Sequence, residues 1–380
     1  MKNQIVENPF LLSGYTGPEL FCDRVEETKR LQKNIANGVN TTLFSIRRMG
    51  KTGLVNHLFY SLRKKKISCI YIDLYATQNL REFTNQFGSA VLKAFPERKS
   101  AGKKLIDFLK GLRPIITYDS LTGDPQVSFD FTQPKQYEHS MESIFSFLDK
   151  QRTGVVIAFD EFQQITFYPE KNTEALLRSF IQPLKNVRFI FSGSSRHLLS
   201  EIFSHAKRPF FASTQPLQID VIDRKIYLEF IKEKFKIHKR KISNEALTFI
   251  VDWTRLHTFY TQVLCNRIFE SGLKDISVDD VKIECDGLLR EQEGIFFQYR
   301  NLLTNLQWNL LEAIASEDMV YKPLSRNFIE KYNIGTQANV QRAIEALMQK
   351  EMIYREVADG KRFYRVYDSF LARWLERKSK

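Results

Sequence analysis

Three residues in succession, Gly50-Lys51-Thr52, follow an apolar, β-rich run and open an amphipathic helical pattern (Leu54, Val55, Leu58, Leu62). Backbone N–H groups at such a junction can bind phosphate oxygens, and the helix N-terminus favours negative charge. The tripeptide therefore suits the second half of a phosphate loop of the form G-x-x-x-x-G-K-[ST]. In that reading Lys51 neutralises the β- and γ-phosphates of a nucleoside triphosphate, and the Thr52 hydroxyl joins the shell of a Mg²⁺ ion. Met49, Gly50 and Gly53 complete the cradle, while Arg47 and Arg48 are placed either to contact phosphate or to close onto a covering lid, one of the two being structural. The first glycine of the pattern is replaced by Ser45, so the loop must be entered without a Cβ-free residue.

A second constellation lies further along, in Gly154-Val155-Val156-Ile157-Ala158-Phe159-Asp160-Glu161-Phe162-Gln163. An apolar run ending in two acids matches a Walker B strand. Asp160 is expected to hold the metal's shell, and Glu161 to orient and polarise an attacking water. A buried strand ending in solvated acids would look similar in isolation; the preceding Gly-Lys-Thr on the same apparent sheet favours the chemical reading. A third run ends Phe191-Ser192-Gly193-Ser194-Ser195-Arg196. Polar groups at that strand end would sit beside the γ-phosphate, which makes Ser192, Ser194 and Ser195 sensor candidates. The same residues also fit a Gly/Ser turn capping the next helix.

These residues need a sheet to hold them. Thr41–Ile46, Ser68–Leu74, Val155–Phe159 and Arg188–Phe191 are short β-rich runs alternating with helical stretches, and Pro216–Asp220 is a fifth. Consecutive apolar positions suit strands buried on both faces, as in a parallel sheet covered by helices. Pro114–Phe131 reads as an inserted hairpin turning at Thr122-Gly123-Asp124-Pro125. Beyond Asp220 helices are expected at Arg224–Phe235, Asn244–Thr254, Phe259–Ser271 and Ser277–Gln292. From Gly294 follow Asn305–Ala315, Ser325–Tyr332, Thr336–Lys350 and a ribbon, Met352–Val357 with Arg362–Val366, joined through Asp359-Gly360. Three helices and a hairpin make a winged-helix pattern. The expected domains are a core over 1–220, a helical lid over 221–293 and a winged helix over 294–380.

Composition sets the outer bounds. The 380 residues carry a formal charge of +13, with 43% hydrophobic and 27% charged residues, which excludes disordered, collagenous and coiled-coil chains. Over half of the basic surplus falls in residues 1–100, with 16 basic and 8 acidic side chains. Part of it is Arg63-Lys64-Lys65-Lys66, which suits the last turn of a helix. Cys22, Cys69, Cys265 and Cys285 form no CxxC pair, so a reducing, cytoplasmic setting is expected. No apolar run is long enough to span a bilayer, and no membrane association is expected.

With these motifs placed, the chain resembles the AAA+/STAND-like P-loop ATPases of the archaeal-type ATPase family, which is also widespread in bacteria. Asn8-Pro9-Phe10 with Phe21-Cys22-Asp23-Arg24-Val25-Glu26 is similar to that family's N-terminal box, which implies that Asp23 and Arg24 lie near the adenine. Ile46–Thr52 resembles its arginine-rich phosphate loop, and Thr254–Tyr260 its helical-lid motif, which implies a sensor role for His257; Leu256 and Thr258 replace the usual glycine and proline. Gln307-Trp308 through Phe370 resembles its winged helix. The resemblance implies an α/β core with strand order 5-1-4-3-2, a helical lid and a wing, with ATP and Mg²⁺ as ligands.

The expected activity is a slow, Mg²⁺-dependent ATPase switch that couples nucleotide state to lid and wing orientation. Its partners would be ATP or ADP, an unidentified protein, and DNA if the winged helix binds it; an oligomer is also open. Gln337, Asn339, Gln341 and Arg342 could read base edges, yet residues 301–380 hold 13 basic against 10 acidic residues, a weak surplus. Two other classes stay open: a DNA-binding regulator or mobile-element helper with a secondary ATPase, and a catalytically silent nucleotide-binding scaffold. Arg208 is either a finger on a γ-phosphate or a salt-bridging surface residue. Trp308, Phe370, Leu371 and Trp374 fall at helical spacings that suit a core.

Overall fold

The computed structural model describes residues 8–96, 114–119, 122–129, 134–358 and 360–378. They form two compact units, one within residues 14–221 and the other joining residues 222–378 to 8–13. Parts of the expected hairpin (120–121 and 130–131) and Asp359 of the wing's turn lie outside the described residues.

The first unit is built on β1 (Thr41–Phe44), β2 (Ser68–Asp73), β3 (Pro114–Tyr118), β4 (Pro125–Phe129), β5 (Val155–Asp160), β6 (Val187–Ser192) and β7 (Gln215–Gln218). Its helices are α1 (Val25–Ala36), α2 (Lys51–Lys64), α3 (Leu80–Ala94), α4 (Pro134–Asp149), α5 (Thr173–Ile181) and α6 (Arg196–Ser204). Five strands form one parallel sheet in the order β2-β5-β6-β1-β7, while β3 and β4 pair antiparallel as a separate hairpin. Counting only the sheet strands, that is the 5-1-4-3-2 order the resemblance implies.

The alternation along β5 explains why its sequence is apolar at every position. Val155, Ile157 and Phe159 join a core on one face with Phe83, Phe87, Phe145 and Phe189. Val156 and Ala158 join the other face with Leu54, Val55 and Leu58 of α2. Phe159 stacks on Phe189 with ring centroids 6.0 Å apart and planes 4° apart. Each such fully buried side chain contributes about 1.5–3 kcal/mol. This packing holds the C-terminal ends of β1, β5 and β6 side by side.

In the second unit α7 (Arg224–Ile237), α8 (Asn244–Trp253), α9 (Thr258–Glu270) and α10 (Val278–Asn301) precede α11 (Asn305–Glu317), α12 (Arg326–Tyr332) and α13 (Gln337–Gln349). A ribbon of β10 (Ile353–Ala358) and β11 (Lys361–Val366) and a last helix α14 (Ser369–Lys378) follow. The short strands β8 (Lys241–Ile242) and β9 (Asp275–Ile276) pair in parallel, a feature too short to read from sequence. Capping boxes at Ser277/Asp280 and Thr304/Gln307 start α10 and α11. Trp308, Phe370, Leu371 and Trp374 are buried in one core with Leu311, Val340 and Ile344.

One boundary differs from the sequence reading. The helix expected to stop at Gln292 runs to Asn301, with Gly294 in its interior. A glycine costs about 1 kcal/mol there relative to alanine. The apolar spacing resumes immediately, however: Phe296 is buried, 5.4 Å from the ring of Trp374. That contact outweighs the local weakness. Asn8 and Phe10 also belong to this unit, where Asn266 Nδ2 donates to the Phe10 carbonyl (2.8 Å) and the Phe10 ring lies 5.0 Å from Phe235.

Candidate functional site

Beyond Phe44 the chain leaves the sheet and turns back into α2 through two left-handed residues, Arg48 (φ 61°) and Gly50 (φ 91°). The glycine is needed at the second, directly ahead of the helix. Arg47 and Arg48 are exposed, whereas Met49 and Lys51 are buried. Arg24, itself buried with left-handed backbone, props the loop from behind: its Nη2 donates to the Met49 carbonyl (3.3 Å) and its Nη1 pairs with Glu27 (2.8 Å). Asp23 precedes it, also left-handed at φ 58°.

Ser45 does not obstruct the loop. Its hydroxyl donates to the Ile46 carbonyl (2.7 Å) and accepts from Lys51 Nζ (3.1 Å), which also reaches that carbonyl (3.4 Å). The ammonium thus rests on neutral oxygens. Burial holds the Lys51 pKa below the ordinary lysine value, against the opposing pull of Asp160 and Glu161 and with a smaller push from Arg47. A desolvated cation held this way gains strongly from an arriving anion.

The two acids at the end of β5 diverge because Glu161 adopts a left-handed conformation (φ 53°, ψ 39°) at the entry to a 3-10 turn, Phe162–Phe167. Asp160 faces the phosphate loop. Its Oδ2 accepts from Thr52 Oγ1 (3.0 Å) and Tyr71 OH (2.5 Å), and its Oδ1 from Ser192 Oγ (2.7 Å) and the Glu161 amide (3.1 Å). Glu161 faces β6. Its Oε2 accepts from the Ser194 amide (3.1 Å), Ser194 Oγ (2.7 Å) and Gln163 Nε2 (2.5 Å). Ser195 stands at the N-cap of α6 but makes no side-chain cap hydrogen bond.

Lys51, Thr52, Asp160, Glu161, Ser192 and Ser194 therefore converge at the C-terminal edge of one sheet. Gly53 lies under Phe21, where a Cβ would meet the ring at 3.4 Å, and Phe21 stacks on His57 (4.3 Å, 13°). Arg208 pairs with Glu174 (2.6 Å) and Glu201 (3.7 Å), the salt-bridging arrangement. His257 belongs to the other unit, buried at the N-cap of α9 with its ring 4.6 Å from Tyr260. Sequence reasoning missed Tyr71 and Gln163. Tyr71 carries a faint signal, a hydroxyl in an otherwise apolar stretch of β2; its pKa is pushed above the ordinary tyrosine range by burial and by Asp160.

A family profile described as "ATPase domain predominantly from Archaea" matches residues 21–255, and one described as "Probable winged helix domain" matches residues 294–377. No curated protein matches the sequence at a significant level. Among solved structures, a Walker-type ATPase of Pyrococcus abyssi is similar at 20% identity with a TM-score of 0.66, covering 97% of this chain and 99% of that one. The Aeropyrum pernix ORC2 protein, solved in ADPNP–ADP complexes, is similar at 13% identity with a TM-score of 0.56, covering 98% of both chains. The A. pernix ORC1 protein, solved in complex with DNA, is similar at 12% identity with a TM-score of 0.51, covering 95% of this chain and 94% of that one.

Proposed function

The chain belongs to the family of ATPase domains found predominantly in Archaea, and from that premise we propose that it is a Mg²⁺-dependent ATP-binding and ATP-hydrolysing switch. The observation that carries this reading is the 3.0 Å hydrogen bond from Thr52 to Asp160, which ties the phosphate loop to the end of β5 beside a buried, anion-seeking Lys51. Hydroxyl and carboxylate oxygens suit a hard cation. Mg²⁺ is usually held by one or two protein groups plus phosphate oxygens, so the absence of a cluster of three acidic, histidine or cysteine ligands among the described residues fits it. Thr52 and Asp160 are the residues that would hold it, and the ion would supply charge neutralisation to the phosphates.

In this reading the loop amides and Lys51 bind the triphosphate, with Arg47 and Arg48 at its edge. Asp160 holds the hydroxyls of Thr52, Tyr71 and Ser192 in place, and Glu161 accepts a proton from the attacking water. Ser192 and Ser194 sit where a terminal phosphate would be sensed. Asp23, Arg24, Met49, Gly50 and Gly53 shape the cradle, and His257 is the sensor candidate contributed by the lid. We assign residues 1–220 to the core, apart from the 8–13 segment that packs with the helical unit, 221–293 to a lid and 294–380 to the wing, with nucleotide state biasing lid and wing toward a partner. A cytoplasmic setting fits four buried cysteine thiols. The measurement is phosphate release from Mg·ATP by the wild type, Glu161→Gln and Lys51→Ala. We expect slow release by the wild type, retained binding without turnover in the first variant, and lost binding in the second. Tight ATP binding with no release by the wild type would favour a silent scaffold.

DNA is the second partner class, favoured by the winged-helix match. All four candidate base-reading groups already have partners: Gln337 on the Leu324 carbonyl (3.0 Å), Arg342 on Asn339 (2.6 Å) and Gln341 on Glu345 (2.7 Å). A steep salt dependence of duplex binding would establish phosphate contacts, and its absence would leave a protein partner.

A further inference from the structure

Gln163 lies two residues beyond Glu161 inside the 3-10 turn and is only 6% exposed. Its Nε2 donates to Glu161 Oε2 at 2.5 Å and lies 3.5 Å from Ser194 Oγ. Its Oε1 is buried and has no hydrogen-bond partner. A buried carbonyl oxygen left without a donor is costly, and native structures rarely keep one without a compensating gain. The gain is the orientation of the other end. Flipping the amide would turn Oε1 toward the Glu161 carboxylate, oxygen against oxygen, so only the present orientation is attractive.

The opposite wall holds that orientation in place. A Cβ built on Gly193 would lie 1.9 Å from Gln163 Oε1, so the amide fits only because residue 193 has no side chain. Gly193 is itself flanked by Ser192, which donates to Asp160, and Ser194, which donates to Glu161. The end of β6 and the turn after β5 therefore grip one oxygen of Glu161 from two sides.

We propose that Gln163 is a positioning residue for Glu161, locked by Gly193, which pins Oε2 so that Oε1 is the oxygen presented to water. This inference rests on the reading of Glu161 as the general base. A carboxylate held by a single oxygen keeps one rotamer, and proton transfer depends on that geometry before it depends on basicity.

The test compares the wild type with Gln163→Met, which keeps length and loses the donor, and with Gly193→Ala, which displaces the amide without touching Glu161. Phosphate release, the dissociation constant of a fluorescent ATP analogue, and the Glu161 rotamer in crystal structures are measured for each. A fall in kcat of about tenfold is expected, part of the 10²–10⁴-fold available to a general base. The dissociation constant should stay unchanged and Glu161 should occupy more than one rotamer. Unchanged kcat in both variants, a kcat loss with Glu161 still in its single rotamer, or an equal loss of nucleotide affinity overturns the proposal. A wild type that binds ATP but releases no phosphate refutes the ATPase reading instead, and this inference falls with it.

Discussion

Thr52 and Asp160 lie 108 residues apart in sequence, yet the threonine hydroxyl donates to the aspartate at 3.0 Å. Two segments far apart in sequence, a loop leading into a helix and the end of a buried strand, meet there through one hydrogen bond. If a metal-dependent triphosphate site forms on this pair, Thr52→Ala should weaken ATP binding with Mg²⁺ by about 10–100-fold, as loss of a metal-holding group does. Binding measured with EDTA should change much less. Equal losses in both conditions would mean that Thr52 serves the loop's shape alone. Titration calorimetry separates the two.

The buried Lys51 gives a pH signature. Its pKa is lowered in the folded protein, so between that value and the ordinary lysine value the unfolded chain binds more protons. Stability without nucleotide should therefore rise with pH through that window. Triphosphate affinity should move the opposite way, because a bound anion requires the charged form. Lys51→Met should raise the thermal midpoint of the free protein and abolish its further rise on adding ATP. A variant no more stable than the wild type would contradict the desolvation argument.

Tyr71→Phe removes one of the four donors on Asp160. Hydrogen bonds to charged groups contribute about 1.5–3 kcal/mol, so denaturant unfolding should register a loss in that range. The loss should shrink in an Asp160→Asn background, because the two changes delete the same bond. Additive losses would show that Tyr71 acts elsewhere.

A second buried charge cluster lies in the helical unit. Arg255 Nη2 pairs with Asp318 Oδ1 (2.5 Å) and Glu376 Oε1 (2.8 Å), while its Nε and Nη1 are buried without partners. Arg365 also pairs with Asp318 (2.8 Å), and Arg373 with Glu376 (2.7 Å). Glu376→Gln strips negative charge from a basic cluster and should cost about 1–3 kcal/mol. Arg255→Met removes the orphaned donors along with the charge, and because Asp318 and Glu376 keep Arg365 and Arg373 as partners it should cost less than Glu376→Gln. Thermal unfolding of the two variants side by side checks the contrast, and equal destabilisation would refute it.

What was legible in the sequence follows from the range of the interactions involved. The strands are readable because consecutive apolar residues such as Val155–Phe159 have few other uses, and Gly50-Lys51-Thr52 because the motif is local to one turn. In the sequence Ser45 is only a departure from the glycine pattern. Its supporting contact with Lys51 depends on side-chain directions that no spacing encodes. Tyr71 and Gln163 were missed for the same reason: each acts across a strand or a turn, through a single hydrogen bond. The end of α10 is not legible because a glycine reads as a break, whereas the packing of Phe296 on Trp374 that overrides it comes from distant sequence.

That unbroken helix has a mechanical consequence. At 1.5 Å per residue, its 24 residues make a rod of about 36 Å. The helix begins among the helices that follow Ile222 and runs past residue 294, where the winged-helix profile match begins, with no slack joint on the way. A twist imposed at Ser277 must reappear at Asn301. Cutting the protein at residue 294 would sever a structural beam, so the two halves are better studied as one piece.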